Sequence, residues 1–172
     1  MAMKRSMPPA GSSDALLLIL GSLPGEASLA AQRYYAHPQN QFWRLLGDAI
    51  AEPLGKLPYE ERLARLGERG IALWDVIGTA RRLGSLDGAI REAISNPLAD
   101  FIDTHPRLRA VAFNGKTAAR LGRLALGDPG RLQLIDLPSS SPAYTLPIGE
   151  KARQWALLGS LACPPKVATL SI

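Results

Sequence analysis

Apolar positions along the chain fall into two patterns that alternate. The run "ALLLIL" at 15–20 is short, wholly apolar and closed by Gly21, which predicts a strand buried on both faces. "NQFWRLLGDAIA" at 40–51 instead sets Phe42, Leu45, Leu46, Ala49 and Ile50 along one side of a helix, and Asn40 stands where it could cap it. "PYEERLARLGERG" at 58–70 predicts a second helix, with Pro58 near its start and Gly70 past its end. "IALWDV" (71–76), "LRAVAF" (108–113) and "RLQLIDL" (131–137) predict three more strands. Further helices are predicted over 85–94, where "SLDGAIREAI" opens with capping residues, over 96–105 with Pro97 in the first turn, and over 115–126 and 149–162. Residues 1–14 read as a flexible N-terminal tail, 15–162 as the domain and 163–172 as a C-terminal tail.

Strands separated by helices predict an α/β fold: a single domain of three layers, α/β/α, around a four-stranded, mostly parallel sheet. Ligands of such sheets sit at the carboxyl ends of the strands. The loops leaving those ends are "GSLPGEASLAAQRYYAHPQN", "DVIGTARRLGSLD", "NGKTA" and "LPSSSPAYT".

Composition narrows the chemistry. The 172 residues suit one domain with a sizeable core. No apolar run approaches a membrane span, and the first residues lack a signal-peptide pattern, so no membrane partner and a cytoplasmic location are expected. One cysteine, Cys163, and two distant histidines, His37 and His105, give no basis for a disulfide, a metal site or a cofactor. Lys and Arg outnumber Asp and Glu by 20 to 15, and this net +5 favours an anionic partner such as nucleic acid without requiring one.

The loops then offer candidates. Gly21, Ser22, Pro24 and Gly25 let backbone approach a ligand, but neither the phosphate-loop nor the dinucleotide pattern occurs. The Asn114 amide donates and accepts side by side, which suits a nucleobase edge; capping of the next helix would explain it as well. Ser139, Ser140 and Ser141, between Pro138 and Pro142, could clamp a phosphate or form a plain surface turn.

Taken together, "GSLPG", "YYAHPQNQFW", "GSLD", "FNGK" and "LPSSSP" resemble the uracil-DNA glycosylase superfamily, above all its hypoxanthine-DNA glycosylase (deoxyinosine glycosylase) branch. The likeness runs from about residue 15 to 162. It implies a monofunctional DNA glycosylase that flips a deaminated base, first of all hypoxanthine, into a pocket and hydrolyses its N-glycosidic bond. Its partner would be DNA containing that base, and the protein would act as a monomer. A uracil- or mismatch-specific glycosylase is the alternative. So is a damage-binding protein of the same fold without the chemistry.

The resemblance also implies roles. Leu23 stands where relatives place a water-holding Asn or Asp, so that role passes to Asn40, as in the hypoxanthine branch. Tyr35 would stack on the flipped base, with Tyr34 able to exchange places with it. Asn114 would read the base with Gly21, Ser22 and Leu23. Lys116, Arg81, its neighbour Arg82, Ser139, Ser140 and Ser141 would contact DNA. His37 would order its loop in the first place and serve catalysis in the second. Ser85 and Asp87 match "GSLD", with Asp87 ordering the pocket, contacting substrate or capping 88–94. Relatives begin the last loop with His or Asn, where this chain has Leu137. The wedge that fills the gap left by the flipped base falls near Ser141, with Pro142 or Tyr144 able to replace it.

Overall fold

The computed structural model describes residues 2–165. In chain order its elements are β1 (Met3–Arg5), β2 (Leu17–Gly21), α1 (Glu26–Ala31), α2 (Phe42–Ile50), α3 (Tyr59–Glu68), β3 (Ile71–Asp75), β4 (Ile77–Arg81), β5 (Arg91–Ser95), α4 (Leu98–Asp103), β6 (Ala110–Asn114), α5 (Lys116–Leu126), β7 (Gln133–Leu137) and α6 (Ile148–Trp155). Strands β3-β2-β6-β7, in that order, form a four-stranded sheet that is parallel throughout.

Alternation along the strands divides the core in two. Leu17, Ile19, Ile71, Leu73, Ala110 and Ala112 face a layer made by Phe42, Leu45, Leu46, Leu66 and Trp155 of α2, α3 and α6. Leu18, Leu20, Ala72, Trp74, Val111 and Phe113 face Leu98, Phe101, Ala118 and Ala119 of α4 and α5. The molecule is therefore the three-layer α/β/α sandwich that the strand pattern predicts. No helix among the described residues is long and apolar enough to cross a membrane.

Three segments depart from the sequence reading. The 85–94 helix does not form; a 3-10 turn at Asp87–Ala89 leads into β5, which pairs antiparallel with β4. Every residue of β5 is exposed, so no buried face marks it, and the main-chain hydrogen bonds offered by β4 decide its conformation. Residues 3–5 are not tail but β1, paired with β4 on its other side. Beyond β1 the chain stays attached: the Trp74 indole N–H donates to Met7 O at 3.1 Å, the Tyr34 hydroxyl donates to Pro8 O at 2.7 Å, and Met7 is buried. Helix α1 lies inside the expected first loop, and the Ser85 hydroxyl accepts the Glu26 N–H at its start (2.9 Å). At the other end, Cys163 exchanges hydrogen bonds with Arg69 through their backbones and the Arg69 side chain; the rest of the 163–172 tail, from 166 on, lies outside the described residues.

Candidate active site

Sheet register places the site. Gly21 pairs with Asp75 across β2 and β3, and Asn114 pairs with Leu137 across β6 and β7, so four carboxyl-terminal strand residues form a row. Alternation turns all four toward the α2 side. Gly21 contributes no side chain, and the row opens there into a cleft of about 720 Å³. The cleft is lined by the first loop from Gly21 to Gly25, by Tyr35, His37 and Asn40, by Asp75 and Asp87, by Asn114 to Thr117, and by 136–144. The four loops expected at the site thus meet in one place.

Asn40 is held there by two hydrogen bonds. Its side-chain oxygen accepts from the Phe42 N–H at 2.9 Å and from the Ser140 hydroxyl at 2.8 Å. The Phe42 N–H can only donate, so the oxygen, not the nitrogen, must face it. Both strong acceptor positions of the carbonyl are then filled. The amide NH2 makes no hydrogen bond among the described residues and is the part of Asn40 left for a ligand or water.

Ser140 joins this residue to Asn114. The Asn114 NH2 donates to the Ser140 hydroxyl at 2.9 Å, that hydroxyl donates onward to Asn40, and the Ser140 N–H donates back to the Asn114 oxygen at 2.9 Å. Its carbonyl accepts the Gln41 N–H at 3.0 Å. Ser140 is buried, so it is not the DNA contact that the sequence reading made of it. It is the pin that fastens the last loop to β6 and to the start of α2. Lys151 adds a second fastening: wholly buried, it donates to the Gln41 side-chain oxygen at 2.9 Å and to Ser141 O at 3.2 Å. Removal of the Ser140 hydroxyl in Ser140→Ala leaves the Asn114 NH2 without its acceptor and the Asn40 oxygen with the Phe42 N–H alone. A loss of about 1–3 kcal/mol in folding stability is expected, read from a thermal or denaturant melt.

The aromatic residues are arranged around Gly21. The Tyr35 ring stacks on Phe42 with centroids 3.7 Å apart and planes 9° apart, so only its other face remains for a base. Tyr35 holds a left-handed backbone, φ 54°, which a tyrosine rarely adopts. Its hydroxyl is buried without a well-formed hydrogen bond, and burial together with nearby Asp75 raises its pKa, tempered by the Asn114 amide. Tyr34 is not interchangeable with it: its hydroxyl donates to Pro8 O, and its backbone N–H donates to the Tyr59 hydroxyl at 3.0 Å. Phe42 and Trp43 are core residues.

Of the other candidates, Ser22 donates to Asp87 at 2.6 Å, which joins the first loop to the 3-10 turn after β4. Asp87 thereby lines the cleft. Leu23 buries its side chain against Ile77 and Ala80, so only its backbone is available to a base. Arg81 pairs with Glu92 at 2.7 Å. Arg82 is buried and donates to the carbonyls of Leu23, Pro24 and Gly84, which makes it a brace for the first loop rather than a phosphate contact. Lys116 is exposed at the start of α5 beside the cleft, and Ser139, Ser141 and Tyr144 line its rim. His37 is exposed; its ring nitrogen accepts the Gln39 N–H at 3.1 Å, and its carbonyl accepts the Asn40 N–H.

Sequence reasoning missed Asp75. It ends the otherwise apolar "IALWD" of β3, is 3% exposed, and one of its oxygens has no partner. Burial, and secondarily Asp87, raise its pKa to about 7, against the opposing pull of Arg82. A lone carboxylate closing a fully buried strand was the signal available.

Comparison with known proteins accords with this geometry. The family model of the uracil DNA glycosylase superfamily matches residues 8–160. The chain belongs to the uracil-DNA glycosylase superfamily. It is a DNA glycosylase by that membership. Two similar relatives, from Methanosarcina barkeri and Methanosarcina acetivorans, are both named hypoxanthine DNA glycosylase. The first is 37% identical over 155 residues, 89% of this chain and 96% of the relative. The second is 39% identical over 140 residues, 81% of this chain and 87% of the relative. A solution NMR structure from Methanosarcina acetivorans, of a protein provisionally called a uracil DNA glycosylase, superposes with a TM-score of 0.82 at 35% identity and covers 93% of this chain and 99% of that one.

Proposed function

We propose that this glycosylase releases hypoxanthine from deoxyinosine in DNA, with Asn40 orienting the attacking water. The observation that carries the reading is the double anchoring of the Asn40 oxygen, which leaves a fixed NH2 in the cleft at the end of "HPQN". The names of the two relatives support hypoxanthine as the base.

In this reading the nucleotide is flipped, and the base enters over Gly21 against the free face of Tyr35. The C1′–N9 bond breaks with its electron pair passing to the base. The sugar becomes oxocarbenium-like, which tolerates a weak nucleophile. An amide has no useful basicity, so Asn40 donates a hydrogen bond to the water oxygen and fixes its position. The water oxygen joins C1′, one proton leaves to solvent, and the base takes up another. Lys116 and the rim residues Ser139 and Ser141 face the DNA backbone.

Base release from duplexes carrying one inosine, uracil or xanthine tests this. Hypoxanthine is expected to be released fastest. Faster release of uracil would overturn the choice of base. Binding of inosine duplex with no release of any base would overturn the catalytic reading in favour of a damage-binding protein.

A further inference from the structure

Both amide atoms of Asn114 already hydrogen-bond Ser140, so the residue expected to read the base is partly committed to the protein's own last loop. Two polar atoms near it are not. The Asp75 Oδ2 and the Tyr35 hydroxyl are buried and unpartnered among the described residues, and both residues line the cleft. They converge over Gly21: a methyl group placed on its Cα would lie 2.6 Å from Asp75 Oδ1 and 3.1 Å from the Tyr35 hydroxyl. A buried polar group without a partner costs stability, so its persistence at the floor of a cleft points to a ligand that completes it.

We propose that Asp75 contacts the flipped base, its proton-bearing carboxyl pairing with the edge at which the base carries C=O beside N–H. This deepens the reading of function above and rests on it. A protonated carboxyl presents an O–H donor beside a C=O acceptor. Hypoxanthine presents O6 beside N1–H, the complementary pair. The donated hydrogen bond falls on the oxygen that gains charge as the base departs, where a donor in a water-poor site acts most strongly. An ionised carboxylate would offer acceptors only and would oppose that charge.

The surroundings favour the protonated form. Asp87 from the 3-10 turn faces Asp75 with like charge, Arg82 after β4 opposes it, and Tyr35 and Tyr34 from the loop before α2 stay neutral because burial raises both. Desolvation is the largest influence and brings the carboxyl to about 7. Activity carried by the protonated form is complete below that pH and is lost as pH rises through it.

The experiment is single-turnover release from the inosine duplex between about pH 5.5 and 9, with wild type, Asp75→Asn and Asp75→Leu, alongside calorimetric binding of free hypoxanthine. Wild type is expected to lose about tenfold in kcat/KM per pH unit on the alkaline side. Asp75→Asn keeps a donor and an acceptor but cannot titrate; it is expected within about tenfold of wild type at low pH, with no alkaline fall. Asp75→Leu is expected to lose about 100-fold in release and most of its affinity for free hypoxanthine. A folded Asp75→Leu within about threefold of wild type, or an Asp75→Asn profile that falls like wild type, would overturn the assignment. If Asp75→Leu does not fold, the Asp75→Asn profile and its hypoxanthine binding decide. Failure of wild type to release any base removes the functional reading itself, a result distinct from release that ignores Asp75.

Discussion

Replacing Asn40 with alanine is expected to reduce hypoxanthine release by about 100-fold while binding to inosine duplex stays close to wild type, because the residue places a water rather than holding the DNA. The variant also loses the acceptor used by the Phe42 N–H and the Ser140 hydroxyl, so a stability loss of about 1–2 kcal/mol is expected with it. Asn40→Asp separates the two effects. A carboxylate still accepts from both donors, so its melting temperature is expected near wild type, and any loss of rate belongs to the chemistry. Release by Asn40→Ala within about fivefold of wild type would remove Asn40 from the reaction.

Gly21→Ala carries the second large effect. The added methyl would lie 2.6 Å from Asp75 Oδ1, closer than real contacts allow, and 3.1 Å from the Tyr35 hydroxyl, a tight contact. The Gly21 backbone is not left-handed, so alanine fits the chain itself and the conflict is confined to the cleft floor. Asp75 must move and Tyr35, stacked on Phe42, must give slightly. A loss of about 100-fold in release is expected with a stability cost of about 1–3 kcal/mol. Wild-type release from the alanine variant would place the base elsewhere in the cleft.

Most of the parallel sheet was legible because β2, β3 and β6 are buried on both faces and so read as continuous apolar runs such as "ALLLIL". The β1-β4-β5 sheet was not. β5 exposes every residue, and β4 buries only Ile77 and Ala80, so neither carries a periodic signal. "SLDGAIREAI" has local helical features, and pairing with a neighbouring strand overrides them. The loops of the site were visible through "HPQN", "GSLPG" and "FNGK", and Asn40 stands where that reading put it. What the sequence concealed is which groups those side chains touch. Ser140 lies 100 residues from Asn40 and 26 from Asn114, and nothing local in "PSSSP" distinguishes it from Ser139 or Ser141. Arg82 looked like its neighbour Arg81, yet one is buried against loop carbonyls and the other pairs with Glu92.

The fastening of Asn40 and Asn114 through Ser140 has an evolutionary consequence. The Ser140 side chain is a donor to one amide and an acceptor from the other, so a substitution at any one of the three positions disturbs both remaining partners. Lineages that depart from this trio are expected to do so by paired replacement, with the first change tolerated only where a second restores the hydrogen-bond polarity. Drift toward a new substrate base would therefore begin more readily at Asp75 or Tyr35, where the Asp75 Oδ2 and the Tyr35 hydroxyl hold no hydrogen bond among the described residues, than within the trio.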